Sequence, residues 1–118
     1  NPLPAVAMTT DTSVISCIGN DYSYEDIFSR QVEALMNSQD LLWAFSTSGS
    51  SGNVMAAVAM ARQKGSRVIG FTGIPDSLLE AQADLTLCAH TNYTSTAQEI
   101  HQIAYHIICE IIDQHYTE

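Results

Sequence analysis

The run Ser46-Thr47-Ser48-Gly49-Ser50-Ser51-Gly52-Asn53 gathers hydroxyls and glycines into consecutive positions. It follows a short apolar segment and opens a helical one. A helix N-terminus offers unpaired N–H groups and the positive end of the helix dipole. Gly49 and Gly52 let a backbone come close to an anion. Ser46, Thr47, Ser48 and Ser51 add hydroxyl donors. That chemistry suits a monophosphate held without any lysine. The run is not a Walker loop, because no Gly-Lys-Ser/Thr follows. A Ser/Gly run is also what a plain capped loop contains. The strand-loop-helix context favours the anion site, since ligands of open parallel sheets bind beyond the carboxyl ends of strands.

The last segment carries Gln98, His101, His106 and His115. On an ideal helix, Gln98 and His106 stand about 12 Å apart along the axis and about 80° apart around it. That spacing is poor for two ligands to one metal from one straight helix. Converging long side chains, a helix distortion or a second subunit would be needed. His101 reads as structural, and His90 and Tyr93 as loop residues near the strand ends. Asp21, after Asn20, has the type of a capping or turn residue. Asp11, Glu25, Glu33, Glu110 and Glu118 read as solvated charges. Cys17, Cys88 and Cys109 are odd in number and widely spaced, with no Cys-x-x-Cys. They read as reduced, mostly buried thiols in a reducing compartment.

The elements that must position these groups alternate along the chain. Ala5 to Thr9, Leu41 to Ser46, Arg67 to Thr72 and Asp84 to Ala89 read as buried strands. Helices are expected over Asp11 to Asn20, Tyr24 to Met36, Val54 to Lys64 and Ser95 to Tyr116, with a short one within Ile74 to Gln82. Gly65 follows the third of these as a C-cap would. Apolar strands separated by helices predict an α/β fold, a parallel sheet with helices on both faces. The final helix is apolar over more than a 100° stripe, so it suits a partner subunit as well as its own sheet.

Composition narrows the function. The chain has 118 residues, one domain's worth, and a net charge of −9. Charged residues make up only 14%, where about 25% is usual. Either partner chains cover apolar surface or part of a larger domain is absent. Arg30, Arg62, Lys64 and Arg67 cannot build a basic patch, which argues against nucleic-acid binding. No apolar stretch approaches a membrane span. The chain starts Asn1-Pro2-Leu3-Pro4 without a charged-then-apolar segment, and its acidic balance makes the cytoplasm the expected location.

Leu42 to Asn53 resembles the sugar-isomerase (SIS) domain, whose members bind phosphosugars with a strand ending in Ser-Thr-Ser-Gly. Ile18-Gly19-Asn20-Asp21-Tyr22, Asp26 to Ala34, Val68 to Gly73 and Gln98-Glu99-Ile100-His101 are similar, in order, to the phosphoheptose isomerases of that family. The resemblance implies a Rossmann-like three-layer sandwich over residues 1–118, a single partial SIS domain incomplete at its N-terminus. It implies that Ser46, Thr47, Ser48 and Ser51 hold the sugar phosphate and that Asn20 and Asp21 contact the sugar. Gln98 would touch both substrate and zinc. His106 would bind zinc and take part in proton transfer. The implied reaction converts sedoheptulose 7-phosphate to D-glycero-D-manno-heptose 7-phosphate, for lipopolysaccharide core heptose, through an enediol that needs placed acid and base groups. A homotetramer with active sites at subunit boundaries is implied as well.

The chain also departs from that pattern. The family's N-terminal helices, first strand and the next helix, with two further zinc ligands, have no counterpart here, so this polypeptide alone is expected to be inactive. Ser95 and Thr96 stand where the family has an Asp-Arg pair, and Ile74 to Leu78 where it has a Lys-Asp-Gly-Gly-Lys run. The competing reading is a non-catalytic phosphosugar-binding SIS protein, such as a DnaA initiator-associating scaffold. Having both Gln98 and His106 favours the isomerase.

Overall fold

The computed structural model describes residues 2–117; Asn1 and Glu118 lie outside the described residues. Its elements are α1 (Thr12–Asp21), α2 (Asp26–Leu35), β1 (Leu41–Ser46), α3 (Gly52–Gln63), β2 (Arg67–Thr72), α4 (Leu78–Gln82), β3 (Leu85–Cys88) and α5 (Thr94–Thr117). The strands form one parallel sheet in the order β1-β2-β3, with Ser46 opposite Thr72 and Thr72 opposite Cys88. Their carboxyl ends therefore align along one edge of the molecule.

Alternation along the strands sorts side chains onto two faces. Leu42, Ala44 and Val68 point to one face and meet Val58, Ala61 and Val32 from α3 and α2 in the main core. Gly70 lies on that face under α4; a Cβ there would stand 3.0 Å from Leu79 Cγ. Trp43, Phe45 and Phe71 take the other face, where Phe45 and Phe71 stack with centroids 4.3 Å apart. The first turns of α5 cover this face through Ala97 and His101, both buried. Helices on both faces of a parallel sheet give the expected layered architecture.

Local chemistry explains the boundaries. Asp11 caps α1 by accepting from Val14 N at 3.0 Å, so it is not merely a solvated charge. Ser77 caps α4 through Glu80 N. Gly65, at φ 77°, closes α3 as expected, and Ser66 N reaches back to Ala61 O at 2.9 Å.

Two expectations are corrected. Ala5 to Thr9 forms no strand. A strand obtains its backbone bonds from a neighbour, and among the described residues β1 pairs only with β2. The segment instead closes a turn, with Thr10 Oγ1 donating to Ala7 O at 2.8 Å, and is tied to α2 by Gln31 Nε2 donating to Met8 O at 3.0 Å. The thiols are not mostly buried either: Cys17 and Cys109 are exposed and Cys88 is half-buried, all three free. Cys17 and Cys109 fall on outward-facing turns of α1 and α5, where no second layer covers them.

Candidate functional site

The hydroxyl loop sits at the carboxyl end of β1. Gly49 N donates to Ser46 O at 2.9 Å and closes a tight turn. Gly49 has φ 63°, and a Cβ there would lie 2.3 Å from Ser77 Cβ. Only glycine fits that backbone at that distance. Leu79 N donates to Gly49 O, and Gly73 N to Thr47 O, each at 2.9 Å. A Cβ on Gly73 would meet Thr47 O at 2.6 Å. The loop is thus pinned by the chain that leaves β2.

Within the loop, Ser46 Oγ lies 2.8 Å from Ser51 Oγ and 3.4 Å from Ser48 Oγ. Ser51 occupies the N-cap of α3 but makes no side-chain cap bond, and no acid stands in the first turn. Its hydroxyl is turned into the cluster. Val54 N donates to Asn53 Oδ1 at 2.8 Å, and Ser51 leaves the remaining first-turn N–H groups without a side-chain cap, so these keep their donor character for a ligand. Glu25 is exposed, yet its carboxylate stands beside this terminus, with Oε1 2.9 Å from where a Gly52 Cβ would be.

Two open cavities flank the loop. One, of about 350 Å³, is lined by Phe45, Ser46, Thr47, Ser51, Gln98, His101, Gln102 and Tyr105. The other, of about 230 Å³, is lined by Thr47, Ser48, Ile74, Thr91, Asn92 and Thr94. No carboxylate, lysine or arginine lines either one. Hydroxyls, amides and one imidazole on an apolar wall suit a polyhydroxylated ligand whose charge is met at the helix end.

The expected site residues distribute unevenly. Ser46, Thr47, Ser51 and Gln98 meet in the larger cavity, and Ser48 lines the smaller. Asn20 and Asp21 end α1 and line neither cavity. Asn20 Nδ2 donates to Asp21 Oδ1 at 2.9 Å, and Cys17 Sγ donates to Asp21 Oδ2 at 3.4 Å. That carboxylate pushes the Cys17 thiol above its ordinary range, first by accepting its hydrogen and then by its charge; Arg30 pulls weakly the other way. His106 is exposed on α5, its ring edge-on to Tyr105 at 4.6 Å. It also stands outside both cavities.

Residue reading alone missed His101, Gln102 and Tyr105. Together with Gln98 they fall at i, i+3, i+4 and i+7, one face of a helix. That spacing could have marked them as a lining stripe.

Zinc can be tested against the donors present. A catalytic zinc takes three protein ligands and keeps one open position. Among the described residues no three His, Cys, Asp or Glu groups cluster. α5 is α-helical without interruption from Thr94 to Thr117. The distortion that could bring Gln98 and His106 together is therefore absent. These residues by themselves do not fit a zinc ion.

The parallel sheet and the hydroxyl loop at a helix N-terminus place the chain among α/β domains whose ligand site opens beyond the strand ends. Residues 1–73 match the SIS domain family, and the chain belongs to it. It is 46% identical over 116 residues to a phosphoheptose isomerase of Alkalilimnicola ehrlichii, covering 96% of this chain and 59% of that protein. It is 46% identical over 112 residues to one from Roseiflexus, covering 95% and 57%. The solved phosphoheptose isomerase of Neisseria gonorrhoeae superposes with a TM-score of 0.91 at 41% identity, over 94% of this chain and 63% of that one. That from Francisella tularensis gives 0.91 at 38% identity, over 96% and 61%. The chain thus spans about three fifths of the length of these relatives.

Proposed function

We propose that the chain is the phosphosugar-binding portion of a phosphoheptose isomerase, acting on sedoheptulose 7-phosphate. The observation that carries this reading is the cluster of Ser46, Thr47 and Ser51 at the start of α3, lining one cavity with Gln98. The names of the relatives above support the isomerase over a non-catalytic scaffold. The phosphate would take the loop hydroxyls and helix N–H groups. The sugar would lie along the Gln98 face of α5. Asn20, Asp21 and Ser48 are proposed as further substrate contacts and His106 as a proton-transfer group. Their present positions, outside the larger cavity, mean that these roles require closure or a neighbouring chain.

Aldose–ketose isomerisation moves one proton between adjacent carbons through an enediol and needs a base and an acid at fixed positions. Of the residues lining the cavity, His101 and Tyr105 carry groups able to exchange a proton, and no carboxylate stands among them. Zinc, proposed from family resemblance, would need donors from beyond these residues to join Gln98 and His106. We further propose a homotetramer, supported by the exposed isoleucines of α5, and a cytoplasmic role in heptose supply for lipopolysaccharide core. Among the described residues no helix is long and apolar enough to cross a membrane.

The test is turnover. The chain, extended at its N-terminus as the family pattern requires, is incubated with sedoheptulose 7-phosphate with and without zinc. Zinc-dependent aldose formation that is lost in His106→Ala is the expected outcome. Sugar-phosphate binding with no turnover under either condition would return the chain to the scaffold reading.

A further inference from the structure

His101 has a second polar atom that the fold does not use. The residue is 4% exposed, and its Nε2 lies 2.8 Å from Thr72 O. A carbonyl oxygen only accepts, so Nε2 must carry the hydrogen. The same carbonyl also accepts from Ala89 N at 2.9 Å. Phe45 and Phe71 meet the imidazole edge-on at 6.2 and 5.8 Å. Ring orientation and tautomer are therefore both fixed by the core.

Nδ1 is left as the acceptor of the neutral ring. Among the described residues the Thr72 contact is the ring's one hydrogen bond. Yet among the described residues no buried side-chain nitrogen or oxygen lacks a partner. Nδ1 must therefore reach open space, and the open space that His101 lines is the cavity of Ser46, Thr47, Ser51 and Gln98. A core histidine serving packing alone would have no reason to keep its second nitrogen at a ligand cavity. In the fixed tautomer, that nitrogen can take a hydrogen from a ligand.

We infer that His101 is a substrate-orienting residue: its Nδ1 accepts a hydrogen bond from a sugar hydroxyl while the phosphate occupies the Ser46–Ser51 loop. This deepens the proposed phosphosugar reading and rests on it. Gln102 and Tyr105, on the next positions of the same stripe, offer the adjoining amide and hydroxyl. The ligand class is a phosphorylated polyol or open-chain sugar rather than a bare phosphate.

Two variants separate this role from core packing. In His101→Gln, an amide N–H can still donate to Thr72 O, but the acceptor at the Nδ1 position is lost. In His101→Asn, an amide oxygen can stand near the Nδ1 position, but the bond to Thr72 O is lost. The chain and both variants are titrated calorimetrically with inorganic phosphate and with sedoheptulose 7-phosphate. His101→Gln is expected to bind inorganic phosphate as the parent does and the sugar phosphate about tenfold more weakly. His101→Asn is expected to melt lower and to keep most of the sugar-phosphate affinity. In the parent, the Nδ1 nitrogen resonance should move with the sugar phosphate and stay put with inorganic phosphate. Sugar-phosphate binding equal in His101→Gln and the parent, or equal loss of both ligands, overturns the inference and leaves the phosphosugar reading intact. Failure of the parent to bind either ligand removes that reading and the inference with it.

Discussion

Gly49 carries more constraint than any other residue of the loop. Its φ of 63° and the 2.3 Å from a would-be Cβ to Ser77 leave no room for a side chain. Gly49→Ala combines a left-handed backbone with overpacking, and we expect a loss of about 2–4 kcal/mol in denaturant unfolding. Phosphate affinity should fall with it, because the Ser46–Gly49 turn sets the hydroxyl positions. A variant as stable as the parent would mean that the turn is not held as described. The Cys17 thiol offers a separate check. Asp21 raises its pKa, so between the ordinary thiol range and the raised value the folded chain keeps Cys17 protonated where a free thiol would ionise. Alkylation of Cys17 should therefore be slow at mildly alkaline pH. Asp21→Asn should speed it and move the pH–rate midpoint down; an unmoved midpoint would dismiss the contact. The serine loop was legible because its donors are consecutive. The place of His101 was not, because its cavity exists only where α5 crosses the ends of β1 and β2.

At the scale of elements, periodicity found β1 and β2 with the right boundaries, and α5 to within one residue at each end. Apolar runs of six residues between turn-formers leave little room for another reading. The same rule failed for Ala5 to Thr9, because an apolar run states what a segment could bury, not whether a strand lies beside it. The long helix shows the matching limit. Ile100, Ala104, Ile108 and Ile112 are half-buried, while Ile103, Ile107 and Ile111 are 61, 52 and 60% exposed. The helical pattern predicted one broad apolar side, and the fold covers only part of it. An apolar row of that kind on a helix is suited to a second copy. Ile107→Asp should lower the melting temperature and remove its dependence on chain concentration, because association through this row stabilises the folded chain. It should also lower the mass seen in sedimentation. Unchanged mass would remove α5 from the assembly surface.

For the molecule as a whole, the sheet collects three strand ends at one edge, and the proposed ligand site lies there. None of the four cations lines either cavity. Lys64 Nζ donates to Met36 O at 2.7 Å, Arg62 Nη1 to Gln82 O at 2.8 Å, and Arg30 lies 3.8 Å over the Tyr22 ring. The proposed phosphate site then rests on hydroxyls and backbone N–H groups. It is tested most directly by calorimetric titration of the chain with sedoheptulose 7-phosphate, using the unphosphorylated sugar as control and a Ser46→Ala, Ser51→Ala double variant alongside. Only the phosphorylated sugar is expected to bind, at least tenfold more weakly in the double variant, as the loss of two hydroxyl contacts to a charged group requires. Equal binding of both sugars, or a double variant that binds as the parent does, would contradict it.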